Sequence, residues 1–257
     1  MVFLIVPAVA MGASMLTFFS GFGLGTLLLP AFAIFFPIDV SIAMTAAVHF
    51  LNNVFKLFLV GRFTNRSILL RFGLPAIVAA FIGAQILISL GEIHAHRDFS
   101  AGGIPISLSV ERVVIAILMM LFAAFEWSRA LDRIQIDTRW LPVGGVLSGF
   151  FGGLSGHQGA LRSAFMLRCN LSKEAFIATG VAIACLIDVT RISLYLNHLV
   201  SEDMQSNFPL MALATLAAFV GAYLGNRLLT KMTMRSLQKG VAAMLFLIAT
   251  AIALGWI

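Results

Sequence analysis

The sequence predicts an all-α, polytopic membrane protein made of two inverted-topology repeats of about five segments each, and three observations carry that expectation. Apolar runs fill nearly all of the 257 residues, 60% hydrophobic and 11% charged with a mean hydropathy of +1.01, which is far from the composition of a soluble domain. Two glycine-rich interruptions, SGFGLGTLLLP at Ser20–Pro30 and SGFFGGLSGHQGALRSAFMLR at Ser148–Arg168, fall inside apolar runs. The second half also repeats the first: an offset of 134 pairs Thr45 with Thr179, Gly25 with Gly159 and Pro75 with Pro209, and sets Lys56 beside Arg191. Such doubled breaks point to a transporter with short or broken helices at its binding site. The expected division is a repeat over residues 1–130, a cytoplasmic linker over 131–139 and a second repeat over 140–257.

The first apolar stretch, about Val2–Phe19, is long enough to span and is read as a retained segment, since it lacks a charged start and a cleavage site. After SGFGLG, a short piece from about Thr26 to Phe36 covers half a bilayer. Stretches at about Val40–Val60, Phe72–Leu90 and Val110–Trp127 follow, with a long polar loop, GEIHAHRDFSAGGIPISLS, before the last of them. In the second half a long segment is broken at GLSGHQG, and further stretches run from about Glu174 to Leu196, Phe208 to Leu229 and Gly240 to Ile257.

Loop charges orient the chain, because Lys and Arg mark the cytoplasmic side. The loops with Arg62, Arg66 and Arg71, with Arg129, Arg133 and Arg139, and with Arg227, Lys231, Arg235 and Lys239 fall inside. The HAHRD loop and the acidic NHLVSEDMQSN fall outside. Five segments per half then turn the halves upside down with respect to each other and put both termini on the extracytoplasmic side of an inner membrane. The net charge of +6 accordingly reflects topogenic loops and a few buried cations, and implies no nucleic-acid partner. Cys169 and Cys185 suggest neither a disulfide framework nor a metal cluster, and His94 and His96, alone in a loop, read as a solvated turn. No cofactor is implied.

Ionisable groups at mid-membrane are functional candidates because the bilayer core makes them expensive. Following the second break, Ser155, Gly156, His157, Gln158 and Arg162 would form an anion pocket: a helix end presents amide N–H groups and Arg162 adds a guanidinium fork. Gly23 and Gly25 would bring the first break to the same place. His49, Asn52 or Asn53, and Lys56 share a helical face, with His49 and Asn52 the deeper candidates and Lys56 read as snorkelling from a helix end. Asp188 and Arg191, three apart, read either as an internal ion pair or as a charged path in which Arg191 meets substrate; His49, His157 and Asp188 are the proton-coupling candidates. The expected partners are a small anionic substrate and the lipid bilayer, with a homodimer left open. A passive anion channel is the alternative within membrane proteins. The GLSG at Gly153–Gly156 also matches the GxSG of intramembrane serine proteases, but the histidines after His157 reduce to His198 at a loop edge, and a protease does not explain the duplication.

GFGLGTLLLPAF, HFLNNVFKLFLVGR and GVLSGFFGGLSGHQGALRSAFML together resemble the TauE/SafE family, over essentially the whole chain. The first half departs from the commoner GIGGG form, and Ala164 stands where the first half has Pro30. The resemblance implies a two-half secondary transporter exporting sulfite or a C2 organosulfonate such as sulfoacetate. Composition and spacing by themselves imply a small anion.

Overall fold

The computed structural model describes residues 1–20, 24–92, 97–101, 104–108, 110–127, 136–199 and 205–228, together with 243, 246, 247 and 249–252. In chain order these form helices α1 (Val2–Ser20), α2 (Leu24–Ala33), α3 (Ile38–Val60) and α4 (Arg66–Gly91), a hairpin of β1 (Arg97–Ala101) and β2 (Ile104–Leu108), then α5 (Val110–Trp127), α6 (Leu141–Ser155), α7 (Gly159–Met166), α8 (Lys173–Leu199) and α9 (Phe208–Leu228). The antiparallel hairpin pairs Arg97 with Leu108 and Ala101 with Ile104, in the stretch that the sequence predicts to be a long polar loop. The stretches with Arg129, Arg133, Lys231, Arg235 and Lys239, with His94 and His96, and with Glu202 and Asp203 lie outside the described residues.

Among the described residues, four helices are long and apolar enough to cross a membrane, within Ile38–Phe63, Arg66–Gly91, Lys173–Tyr195 and Phe208–Arg227. Their outer faces are apolar. On α4, Leu70, Leu74, Val78, Ile82 and Ile86 recur every fourth residue and are all exposed, while Phe72, Ala76, Ala80, Gly83 and Ala84 on the opposite face are buried. A water-soluble helix has the reverse arrangement. The chain is therefore a multi-pass, all-α membrane protein with one small hairpin.

Lipid gives no hydrophobic drive for helix association, so close packing must come from small residues that let backbones approach. Gly145, Gly149 and Gly153 on α6 are spaced by four, and a Cβ at each would collide with the backbone carbonyl of Phe72, Ala76 and Ala80 in turn on α4. The matched numbering makes α4 and α6 parallel. A second pair repeats the device: a Cβ at Gly221 or Gly225 on α9 would strike the backbone of Met11 or Met15 on α1, again in parallel.

Helices α3 and α8 run antiparallel through the centre, since His49 meets Asp188 while the backbone N–H of Asn65, just past α3, donates to Thr179 Oγ1 at 2.9 Å. Asn65 also caps α4, its side chain accepting from Ile68 N at 3.1 Å. Helix α6 stops at Gly156, which adopts φ +80, a left-handed conformation that glycine takes without penalty. The chain then doubles back. A Cβ at Gly144, near the start of α6, would meet the Phe165 ring near the end of α7, and Ser148 Oγ donates to the Gln158 carbonyl at 3.0 Å. The sequence leaves open whether this segment crosses the membrane or returns; α6 and α7 form a hairpin.

Candidate functional site

The tip of that hairpin reaches the first glycine motif. A Cβ on Gly25, in the first turn of α2, would sit 3.7 Å from the Gly156 carbonyl oxygen, 3.6 Å from Thr45 and 3.8 Å from the His49 ring. These are ordinary van der Waals distances, so Gly25 sits beside Gly156 and His49 without needing to be glycine for space. Gly23 lies outside the described residues.

Asp188 on α8 is the hub of the polar interior and is fully buried. One carboxylate oxygen, Oδ2, lies 2.6 Å from His49 Nδ1 and 3.2 Å from Asn53 Nδ2; the other, Oδ1, receives Arg191 Nε at 3.1 Å and Gln158 Nε2 at 3.4 Å, with Arg191 Nη2 at 3.0 Å. An ionised carboxylate accepts and does not donate, so the proton in the His49 contact is on Nδ1. This set of partners uses the lone pairs of a charge that would otherwise be very costly to bury. Asp188 and Arg191 form an ion pair, and that pair is wired to His49 on α3 and Gln158 at the hairpin tip.

Gln158 carries the connection further, since its Oε1 accepts from Arg162 Nη1 at 3.2 Å. Arg162 is buried and lines a small cavity together with Lys56, His49, Asn53, Thr17 and Ser163. Gly180 borders the cavity as well, and a Cβ there would come within 3.3 Å of Arg162 Nε, so the missing side chain gives the guanidinium its room. The lining residues of α3, α7 and α8 lie toward the end of the bundle that carries Arg62, Arg168 and Lys173. The cavity touches the flank of α7 through Arg162, Ser163 and Met166, and Gly159, Ala160 and Leu161 are not part of its wall.

Two expectations change. Lys56 does not reach an interface: it is 4% exposed, its Nζ lies 5.6 Å from the centre of the Phe18 ring, and it faces the cavity. Asn53, not Asn52, holds Asp188; Asn52 turns the other way, where its Oδ1 accepts from Ser14 Oγ at 3.0 Å and its Nδ2 has no hydrogen-bond partner among the described residues. Adjacent residues on a helix point about 100° apart, so the two asparagines cannot share a role. Lys56 had a legible signal, the face it shares with His49 and its alignment beside Arg191, but its proximity to a helix end pointed to snorkelling.

His157 lies next to this network and outside the cavity lining. Its ring stacks on Phe122 with centroids 5.2 Å apart, Nδ1 lies 3.1 Å from both the carbonyl and the hydroxyl of Ser155, and Nε2 is buried without a hydrogen-bond partner among the described residues. Ser155 Oγ donates to the Phe151 carbonyl at 3.2 Å, as a helix-terminal serine commonly does. Gly156 packs on Arg191, whose Nη1 would be 2.8 Å from a Cβ there.

The buried Lys, Arg, Asp and Glu side chains among the described residues are Lys56, Arg162, Arg191 and Asp188. Arg191 contacts Asp188 directly, Arg162 is linked to it through Gln158, and Lys56 and Arg162 line one cavity. The family described as Sulfite exporter TauE/SafE matches residues 6–252 of the chain. No curated protein matches the chain.

Proposed function

We propose a carrier mechanism for this chain, which belongs to the sulfite exporter TauE/SafE family: it binds a small anion between two inverted repeats and releases it on the opposite side of the inner membrane. Members of an exporter family are transporters, and the chain is not an enzyme. The substrate is sulfite or a C2 organosulfonate such as sulfoacetate. The meeting of Lys56 and Arg162, both buried, at one cavity carries this reading.

The anion sits in the cavity beside Lys56 and Arg162, with Thr17, Ser163, Asn53 and His49 as neutral hydrogen-bonding groups around it. Gly25, Ser155, Gly156, His157 and Gln158 form the meeting point of the two repeats, and Arg191 holds Asp188 in place behind His49. Asn52, facing Ser14, supports α3 against α1. Residues 1–130 and 140–257 form the two repeats, joined by 131–139. Three packing relations support the inverted arrangement: α3 and α8, equivalent under the offset of 134, are antiparallel, and the parallel pairs α1–α9 and α6–α4 exchange under the same offset. Positive loop charge puts the cavity on the cytoplasmic side and both termini outside. Toward the other side, Leu28 takes the place that Arg162 has in the second repeat, within an apolar cluster that includes Phe32, Met44 and Leu154. Rocking of the repeats would open that cluster and close the cavity.

Arg162→Ala in proteoliposomes tests the pocket. Efflux of labelled sulfoacetate or sulfite should fall about a hundredfold while the protein stays monodisperse, an effect in the range expected for a lost charge-assisted fork. Unchanged efflux would overturn the pocket, and an absence of counterflow would replace the carrier with a channel.

A further inference from the structure

Two hydroxyls at the cavity wall have unused hydrogen-bonding capacity. Thr17 is 3% exposed, its Oγ1 and Ser163 Oγ are buried without a hydrogen-bond partner among the described residues, and both residues line the cavity that Lys56 and Arg162 share. The other neutral polar groups of the wall are engaged: His49 Nδ1 and Asn53 Nδ2 both turn to Asp188 Oδ2, at 2.6 and 3.2 Å. A serine or threonine inside a helix commonly avoids this situation by donating to the carbonyl one turn back. Thr190 does so to Leu186 at 2.9 Å, Thr215 to Met211 at 2.7 Å and Ser155 to Phe151 at 3.2 Å. Thr17, inside α1, and Ser163, inside α7, have the same option and do not take it. A buried hydroxyl left without a partner is costly, which points to a bound group that supplies one.

Resting on the reading of this cavity as an anion site, we infer that Thr17 and Ser163 set its specificity: the cavity selects anions by how strongly they accept hydrogen bonds, taking sulfite, sulfonates and carboxylates and rejecting weakly accepting anions of the same charge. Attraction to Lys56 and Arg162 does not make this distinction. Between two anions of equal charge, a purely coulombic pocket prefers the less hydrated one, which gives up less on leaving water. The two hydroxyls reverse that order. A strongly accepting oxygen regains in the cavity the hydrogen bonds it had in water, whereas a poor acceptor leaves both hydroxyls unpaired, and an unpaired buried polar group discriminates sharply between solutes. Thr17 and Ser163 also lie in different halves of the chain, on α1 and α7, so a solute bonded to both joins the two halves.

Calorimetric titration of the full chain in detergent at pH 7.5 tests this with sodium methanesulfonate and sodium perchlorate, two compact monoanions of which only the first has strongly accepting oxygens. Wild type should bind methanesulfonate about tenfold more tightly than perchlorate. Thr17→Val and Ser163→Ala should each weaken methanesulfonate about fivefold, the order expected for one hydrogen bond, and leave perchlorate unchanged or tighter. Thr17→Ser keeps a hydroxyl and should keep the wild-type preference. Because neither hydroxyl has a partner among the described residues, Thr17→Val and Ser163→Ala should also keep or raise the thermal midpoint of the unliganded protein; a lowered midpoint would assign the hydroxyls to the fold instead. Thr45 Oγ1 is a further buried hydroxyl without a partner among the described residues, and Thr45 is not in the cavity lining, so Thr45→Val should bind both anions as wild type does. Wild type that binds perchlorate as tightly as methanesulfonate overturns the inference and leaves the anion site standing. An unchanged preference in the Thr17→Val, Ser163→Ala double variant does the same, as does an equal loss in Thr45→Val. No heat with either anion or with sulfoacetate removes the anion site itself.

Discussion

His49 Nδ1 and Asp188 Oδ2 lie 2.6 Å apart, although 139 residues separate them in sequence. This contact ties α3 to its antiparallel counterpart α8 at the centre of the bundle. It also gives the imidazole two sides, one fixed to a carboxylate and one toward the cavity. Three predictions follow from this network and from the packing around it.

Asp188 compensates Arg191 and orders His49, Asn53 and Gln158. Asp188→Asn should therefore destabilise the protein by about 3–5 kcal/mol, because it strands a buried guanidinium. Thermal unfolding of detergent-purified protein measures this as a lower midpoint. Adding Arg191→Gln to Asp188→Asn should recover part of the loss, since the two residues are coupled. An unshifted midpoint in the single variant would show that the hub is not structural.

The glycines at the α4–α6 crossing are required for contact and not for flexibility. Gly149→Val should cost about 3 kcal/mol, the upper end for overpacking, because its Cβ would overlap the Ala76 backbone. Gly12→Ala is the matched control on α1, where a Cβ would meet nothing within 4 Å. Size-exclusion profiles after heating should separate the two variants; equal behaviour would refute the close approach.

If His49 carries a proton during transport, His49→Gln should retain efflux driven by a substrate gradient and lose its acceleration by an imposed pH gradient. Glutamine can still donate to Asp188, so the fold is kept. The measurement is proteoliposome flux with and without a protonophore. A variant that responds to the pH gradient as wild type does would remove His49 from the coupling path.

Much of the candidate site is legible in the sequence. The polar faces of α3 and α8 and the burial of Arg162 follow from the cost of polar groups in an apolar run. Asn52 and Asn53 could not be told apart in that way. They are one residue apart, and the rotation of α3 that sends Asn53 to Asp188 and Asn52 to Ser14 is fixed by the packing of α1 and α8. The depth of Lys56 is hidden from the sequence for a related reason: it depends on Phe18 and α7, which flank it at the cavity. The return of α7 along α6 turns on one dihedral angle, the φ of +80 at Gly156, and a run of glycines does not reveal which of them will take it.

By itself, the sequence determined that this protein lives in a membrane, where its long helices lie, and which residues are too polar to face lipid. Those properties follow from local composition, because bilayer thickness and the cost of buried charge act on each segment separately. The tertiary structure decided what those residues do to one another: Asp188 held by His49, Gly25 set against Gly156, and Lys56 turned into the cavity with Arg162. Such relations depend on the rotation and depth of each helix against its neighbours, and small-residue contacts between helices far apart in sequence fix both.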